Sequence, residues 1–190
     1  MKPIPVGVSN RHLHLSQADL ETLFGPGYEL TIRNELGQPG QYAAEETVTL
    51  VGPKGSIAKV RVLGPVRSRT QVEVSMTDAY RLGIRPPVRD SGNLEGAAPI
   101  TLQGPCGEVE LEEAVILAWR HIHMHTKDAA EYGVKDKDMV RIRVGGDRGL
   151  VFENVLVRVR DDFALEMHVD TDEANAAMLY NGAEVELIRE

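Results

Sequence analysis

Three of the six histidines in this 190-residue chain alternate in the stretch AWRHIHMHT, as His121, His123 and His125. Two more, His12 and His14, have the same spacing in SNRHLHLS, and His168 stands alone in LEMHVDTDEANA. Residues i and i+2 of a β-strand point to one face, so each H-x-H pair projects together, with His125 third in its line. Imidazole pairs on a strand face offer nitrogen to zinc, cobalt or another borderline metal. A single H-x-H is a weak signal. Two of them, with an isolated histidine on a further polar strand, outweigh the alternative of an exposed histidine ladder with no metal. Glu73 in TQVEVSM is the carboxylate that fits beside them. Gln71, Glu73 and Ser75 share one strand face and Val72 and Val74 take the other, a pattern of either solvated surface or site lining, and the residues alone leave both open. Five histidines and a carboxylate suffice for two metal ions with positions left over for substrate.

Arginines flank this material. GPVRSRTQVE places Arg67 and Arg69 ahead of Glu73, and VLVRVRDD places Arg158 and Arg160 ahead of His168. The guanidinium fork matches phosphate and carboxylate in a way that lysine does not, so either pair could hold an anion near a metal. The lone cysteine, Cys106 in QGPCGE, is the competing nucleophile. No capped helix or histidine adjoins it in sequence, which counts against a covalent route.

The elements that must position these groups are short. β-branched runs recur every dozen residues or so, at 4–8, 29–33, 46–51, 58–63, 70–75, 100–102, 115–123, 139–144, 152–158, 165–169 and 183–188, between GPK, PP, SGN and GPCG turns. Long amphipathic helices are missing, which favours small barrels or a sandwich over a parallel sheet. Four times a polar-bearing strand runs into a short helix that a Ser or Thr (Ser16, Thr77, Thr126, Thr171) would cap and a glycine would close. Ser16 and Asp19 have capping-box spacing. The four corners predict two related half-units.

Composition narrows the classes. Hydrophobic residues make 42% and charged residues 26%, values that suit a folded core and not disorder. Net charge is −8 with no basic run, so neither nucleic acid nor an anionic membrane is an expected partner. No apolar run approaches the roughly 18–20 residues that span a bilayer. The N-terminus reads as strand without a signal-peptide core, and the single cysteine suits a reducing compartment. The expected location is cytoplasmic.

Taken in order, SNRHLHL, GPVRSRTQVEVSMTDAYRLGI, PPVRDSGNL, LQGPCGEV, AWRHIHM and EMHVDTDEANA resemble the zinc-dependent phosphate propanoyltransferases, the PduL-type phosphotransacylases, from about Val6 to Leu187. The resemblance implies a mainly β fold of two small β-barrels capped by short α-helices, with a metal site between them. Residues 1–10 and 119–190 would form the first barrel and residues 11–118 the second. It also implies a reaction in which acyl-CoA (propanoyl or acetyl) and inorganic phosphate exchange reversibly with acyl phosphate and CoA. Carried over by motif, one zinc falls to His12, His14 and Glu73 and a second to His121, His123 and His168. Arg67, with Gln71 beside it, corresponds to the phosphate-binding group, Arg158 to a second anion contact, and Ser9 and Arg61 to the region near CoA. His125 lies outside the matched motif. Some relatives work in bacterial microcompartments and carry an N-terminal targeting helix. Only ten residues precede Arg11 here, so the free cytoplasmic type is expected. Microcompartment-associated pathway enzymes and a second copy of the chain, as a homo-oligomer, are the protein partners to consider.

The chemistry this implies is direct. Thioester and acyl phosphate are similarly activated, so the site has mainly to orient phosphate and stabilise charge, and no acyl-enzyme is required. A metal would polarise the carbonyl or accept the departing sulfur. Two other readings stand against it. A cupin-like mononuclear metalloenzyme needs a glutamate soon after the first H-x-H, whereas the next one here is Glu21, inside the expected helix. A metal- or nucleotide-binding module without enzymatic activity would have no need of arginine pairs.

Overall fold

The computed structural model describes residues 2–188. Among them the chain opens with β1 (Ile4–Ser9), β2 (His12–His14) and α1 (Gln17–Phe24). There follow β3 (Ile32–Glu35), β4 (Tyr42–Val51), β5 (Ser56–Gly64), β6 (Gln71–Glu73), α2 (Met76–Leu82), β7 (Val88–Arg89), β8 (Ala98–Gln103) and β9 (Glu108–Ala118). The later part runs β10 (His121–Met124), α3 (Thr126–Tyr132), β11 (Met139–Val144), β12 (Leu150–Val159), β13 (Glu166–Asp170), α4 (Thr171–Ala177) and β14 (Glu184–Ile188). The fold is mainly β, as expected. No helix among these residues is long and apolar enough to cross a membrane.

The chain divides into two compact units. One comprises Met1–Ser9, Gly37–Pro39 and Trp119–Glu190, the other Asn10–Leu36 and Gly40–Ala118. In the first, six strands close in the order β1-β13-β10-β12-β11-β14, with β14 returning to β1. In the second, six strands also form a ring, β2-β5-β4-β8-β9-β6 and back to β2. There β3 adds to the outer side of β4 and β7 to β9. Closure pairs every strand of the ring on both sides and removes the exposed edges a flat sheet would leave.

The two rings match strand for strand. In each, the H-x-H strand (β2 or β10) runs parallel to a long strand (β5 or β12) and antiparallel to a short one (β6 or β13). The short strand in turn pairs in parallel with β9 or β1. The N-terminal strand therefore occupies in one barrel the place that β9 fills in the other. This bears out the expected pair of related half-units.

Strand alternation decides what each barrel holds. Leu13 and Leu15 on one side, and Ile122 and Met124 on the other, are wholly buried and join the apolar core of their own barrel. The histidines between them therefore project from the opposite face of the wall. The expected run 115–123 is interrupted because Trp119 and Arg120 leave the ladder: Trp119 Nε1 donates to Asn154 O at 2.7 Å and Arg120 Nε to Glu153 O at 2.9 Å. β9 ends at Ala118 in one unit and β10 begins at His121 in the other.

Three helix caps differ from expectation. Ser16 caps α1 as foreseen, but the caps of α2, α3 and α4 are Ser75, His125 and Asp170, not Thr77, Thr126 and Thr171. The residue that ends the extended stretch carries the cap, since its side chain must reach back over the first turn. Glycines 25, 83 and 133 close three helices, whereas α4 closes on Met178 at φ 55°.

Truncation behind either H-x-H strand should show how strongly barrel packing supports it. Leu13→Ala and Ile122→Ala are each expected to lower unfolding stability by about 2–5 kcal/mol, read as a shift in the urea midpoint. A loss below about 1 kcal/mol would mean that these side chains do not anchor the wall.

Candidate metal centres

In the second unit, β2 and β6 pair antiparallel with His12 opposite Glu73 and His14 opposite Gln71. One ligand atom from each of His12, His14 and Glu73 lies within 4.8 Å of the other two. All three residues are buried, at 8%, 3% and 8% exposure. The hydrogen bonds say which atom of each faces inward. His12 Nδ1–H donates to Asn10 O at 2.8 Å, so its lone pair sits on Nε2, 3.4 Å from Glu73 Oε2. Glu73 Oε1 accepts from Gln71 Nε2 at 2.6 Å and from Ser91 Oγ at 2.9 Å, which presents Oε2. His14 Nδ1 is buried without a hydrogen-bond partner.

The first unit repeats this arrangement. β10 and β13 pair antiparallel with His121 opposite His168 and His123 opposite Glu166. One nitrogen from each of His121, His123 and His168 lies within 4.8 Å of the others, and the rings stack edge-on at centroid distances of 4.7–5.2 Å. His121 Nδ1–H donates to Trp119 O at 2.7 Å, the counterpart of the bond His12 makes. His123 Nδ1 is again buried and without a partner. The residue before each first histidine also matches: Arg11 pairs with Asp78 and Arg120 with Glu173, the capping-box acids of α2 and α4.

A buried polar atom left without a partner costs about 1–3 kcal/mol, and it recurs here at the same position of both triads. A divalent cation would satisfy it. Three imidazoles, or two imidazoles and a carboxylate, are a borderline-metal donor set that leaves coordination positions open. Charge state agrees. His14 is pushed down to about 3, by burial first and then by the neighbouring His12 and Arg67. His123 is pushed far below the ordinary imidazole range, by burial first, then by His121 and His168, then by Arg158 and Arg160. Both are neutral at pH 7, the form that binds metal.

The other expected residues are spread across the units. Arg67 is half-buried, with Nη1 donating to Ser91 Oγ at 3.3 Å, whereas Arg69 is exposed. Gln71 is 2% exposed and its amide is engaged at both ends: Nε2 donates to Glu73 and Ser91, and Oε1 accepts from Gly92 N at 2.8 Å. Arg158 pairs with His123 across β12 and β10, with its guanidinium 5.7 Å from the centre of the Phe163 ring. That ring packs against His123 at 4.4 Å, and Arg160 lies over it at 4.9 Å. Ser9 closes β1 opposite Asp170, and Arg61 Nη1 donates to Ala44 O and Glu45 O. His125 stands outside both triads because its Nδ1 caps α3 by accepting from Lys127 N. Cys106 is exposed.

Sequence reasoning passed over Ser91, which joins Arg67, Gln71 and Glu73, and Glu166, whose Oε2 lies 2.7 Å from His168 Nε2. The same i, i+2 rule that paired the histidines would have placed Glu166 beside His168. Ser91 carries no such signal, since its loop is far from Glu73 in the chain.

The neutral histidines set a sign for pH. Unfolded imidazoles take a proton near 6.5, His14 in the fold only near 3. Below 6.5 the unfolded chain therefore binds more protons, and stability that is complete above that pH is lost as pH falls. The melting temperature of metal-free protein should drop between about pH 7 and pH 5, and His14→Leu should make the drop shallower. Equal slopes for the two proteins would contradict a neutral buried His14.

Comparison with known proteins shows the family. The sequence pattern of the phosphate propanoyltransferase family matches residues 5–180. A phosphate propanoyltransferase of Thermotoga maritima is 70% identical over 180 residues, 94% of this chain and 86% of the relative. One from Salmonella typhimurium is 58% identical over 177 residues (93% and 84%), and one from Rhodopseudomonas palustris 56% over 178 residues (94% and 79%). The chain belongs to the phosphate propanoyltransferase family of acyltransferases.

Proposed function

We propose that this protein is a phosphotransacylase that moves an acyl group between CoA and inorganic phosphate, with propanoyl as the first acyl group to test, and that each unit holds one divalent ion, zinc by its donor set. The observation that carries the reading is the duplicated triad, in which a buried Nδ1 without a partner recurs at His14 and His123. His12, His14 and Glu73 would hold one ion and His121, His123 and His168 the other. When bound, zinc supplies a Lewis acid that polarises a carbonyl and stabilises a thiolate.

The chain's own residues supply the rest. Arg67, anchored through Ser91, offers a guanidinium beside the first triad. Arg158, over the Phe163 ring, offers one beside the second. A rigid fork fixes the phosphate dianion by paired hydrogen bonds and keeps one of its oxygens aimed at the thioester carbon. In the forward direction a phosphate oxygen forms the new C–O bond, the C–S bond breaks, and CoA leaves as thiolate. The reverse uses the same groups. Gln71 acts on this scheme through Glu73 and not through phosphate, because both ends of its amide are engaged. Ser9 and Arg61 are assigned to CoA by family resemblance. No acyl-enzyme is needed, which agrees with an exposed Cys106 outside both triads. The single cysteine also supports a cytoplasmic setting.

The decisive assay is CoA release from propanoyl-CoA and acetyl-CoA, with and without phosphate, on protein of known metal content. Release should require phosphate, vanish on chelation and return with zinc, at two ions per chain. Phosphate-independent behaviour would sink the transacylase, and one ion per chain would favour the mononuclear reading. Arg67→Ala should cost about 100-fold or more in kcat/KM for phosphate, with Arg67→Lys recovering only part because the fork is lost. An Arg67→Ala enzyme within threefold of the unsubstituted protein would remove Arg67 from the phosphate site.

A further inference from the structure

Each triad has a third member on its own short strand, and in both barrels the residue two positions earlier holds it. Gln71 precedes Glu73 and Glu166 precedes His168, on the same strand faces. The registers coincide as well, since Gln71 lies opposite His14 and Glu166 opposite His123. What differs is polarity. Glu73 is a carboxylate and receives an N–H from the Gln71 amide, 2.6 Å away. His168 is an imidazole and gives its Nε2–H to the Glu166 carboxylate, 2.7 Å away. That bond puts the lone pair of His168 on Nδ1, whereas His121 in the same triad has its lone pair on Nε2 because its Nδ1–H donates to Trp119 O.

Glu166 is itself held by residues distant in sequence. Gln38 is 4% exposed and lies in the connection between β3 and β4, within the short segment Gly37–Pro39 that belongs to the first unit. Its Nε2 donates to Glu166 Oε2 at 3.3 Å and to Ala164 O at 3.1 Å, while its Oε1 accepts from Ala164 N at 3.2 Å. Two glycines make room for the carboxylate. A Cβ at Gly7 would fall 2.9 Å from Glu166 Oε1 and 2.9 Å from His168 Cδ2, and one at Gly37 would fall 2.9 Å from Glu166 Oε2. Neither glycine has a positive φ, so close approach, not backbone freedom, is what requires glycine there.

We infer that Glu166, clamped by Gln38 and seated against Gly7 and Gly37, is the positioning residue that fixes the tautomer and ring orientation of His168, so that Nδ1 is the atom presented to metal. Gln71 performs the matching task for Glu73 with the hydrogen-bond polarity reversed to suit a carboxylate. The inference rests on the metal reading of the two triads. Outer partners of this kind are typically worth 10–100-fold in metal affinity.

Two measurements on the full-length protein test it. Nitrogen-15 spectra of metal-free, histidine-labelled protein report the tautomer of His168: Nε2–H is expected, with Nδ1–H rising in Glu166→Ala and rising less in Gln38→Ala. Zinc competition titration should show Glu166→Ala weakening one of two sites by about 10–100-fold and sparing the other. Glu166→Gln keeps an acceptor oxygen and should lose less. Gly37→Ala, which crowds the carboxylate without replacing it, should move both readouts in the direction of Glu166→Ala. Unchanged tautomer and affinity in Glu166→Ala would overturn the inference, as would equal weakening of both sites with a falling melting temperature. A cobalt-substituted Glu166→Ala protein whose spectrum shows one ligand lost would also overturn it, by making Glu166 a ligand itself. Should the unsubstituted protein bind no zinc, the metal reading fails, and the tautomer measurement still decides whether Glu166 orients His168.

Discussion

The antiparallel register between the H-x-H strand and the short strand beside it is the constraint from which both centres follow. With His12 opposite Glu73 and His121 opposite His168, side chains from adjacent strands stand about 5 Å apart on one face, close enough for three ligand atoms to converge. A shift of the H-x-H strand by one residue would turn its histidines into the barrel core and bring Leu13 or Ile122 out. The core therefore enforces the register that the chemistry needs, because the residues between the histidines are wholly buried. Helix caps reinforce it at the far end of each strand. Asp78 and Glu173 serve both as capping-box acids and as partners of the arginines that precede His12 and His121.

Electrostatics divides the labour within each centre. Burial and neighbouring cations keep His14 and His123 neutral at ordinary pH, a form suited to ligation and not to carrying protons. The guanidiniums of Arg67 and Arg158 provide positive charge. Glu166, by contrast, is held below the usual carboxylate range chiefly by its hydrogen bond from His168. The chain is acidic overall at −8, yet each centre gathers cationic groups beside residues that could hold a metal. Since charges beyond about 10 Å are screened at ordinary ionic strength, the local sign is what an approaching anion would meet.

The repeated strand arrangement accounts for the likeness of the two centres and shows where they diverge. The same ring of six strands, the same bond from the first histidine to the backbone carbonyl two residues earlier, and the same orphan Nδ1 occur twice. The third member of each triad differs, and its supporting residue differs with it, amide for carboxylate and carboxylate for imidazole. This co-variation follows from donor–acceptor rules, since a carboxylate ligand needs a donor behind it and a neutral imidazole ligand an acceptor.

Much was legible in the residues themselves. The i, i+2 spacing of His12 with His14 and of His121 with His123 is a local property of extended backbone. So is the alternation that sends Leu13 and Ile122 the other way. Turn residues and cap signals marked the short helices, though three caps fell one or two residues before the expected Thr, because the cap depends on where extended backbone stops. Partnership across the chain was not legible. Ser91 reaches Glu73 from a loop with no periodicity, and Gln38 reaches Glu166 across 128 residues. The place of β1 as the closing strand of the C-terminal barrel follows from no local rule; the family resemblance implied it and strand pairing realises it. Sequence alone determined which residues share a face, because that follows from the two-residue period of a strand. Tertiary structure decided which faces meet and which atom of each histidine points inward, because strand register and hydrogen-bond partners come from chain segments that no local rule brings together.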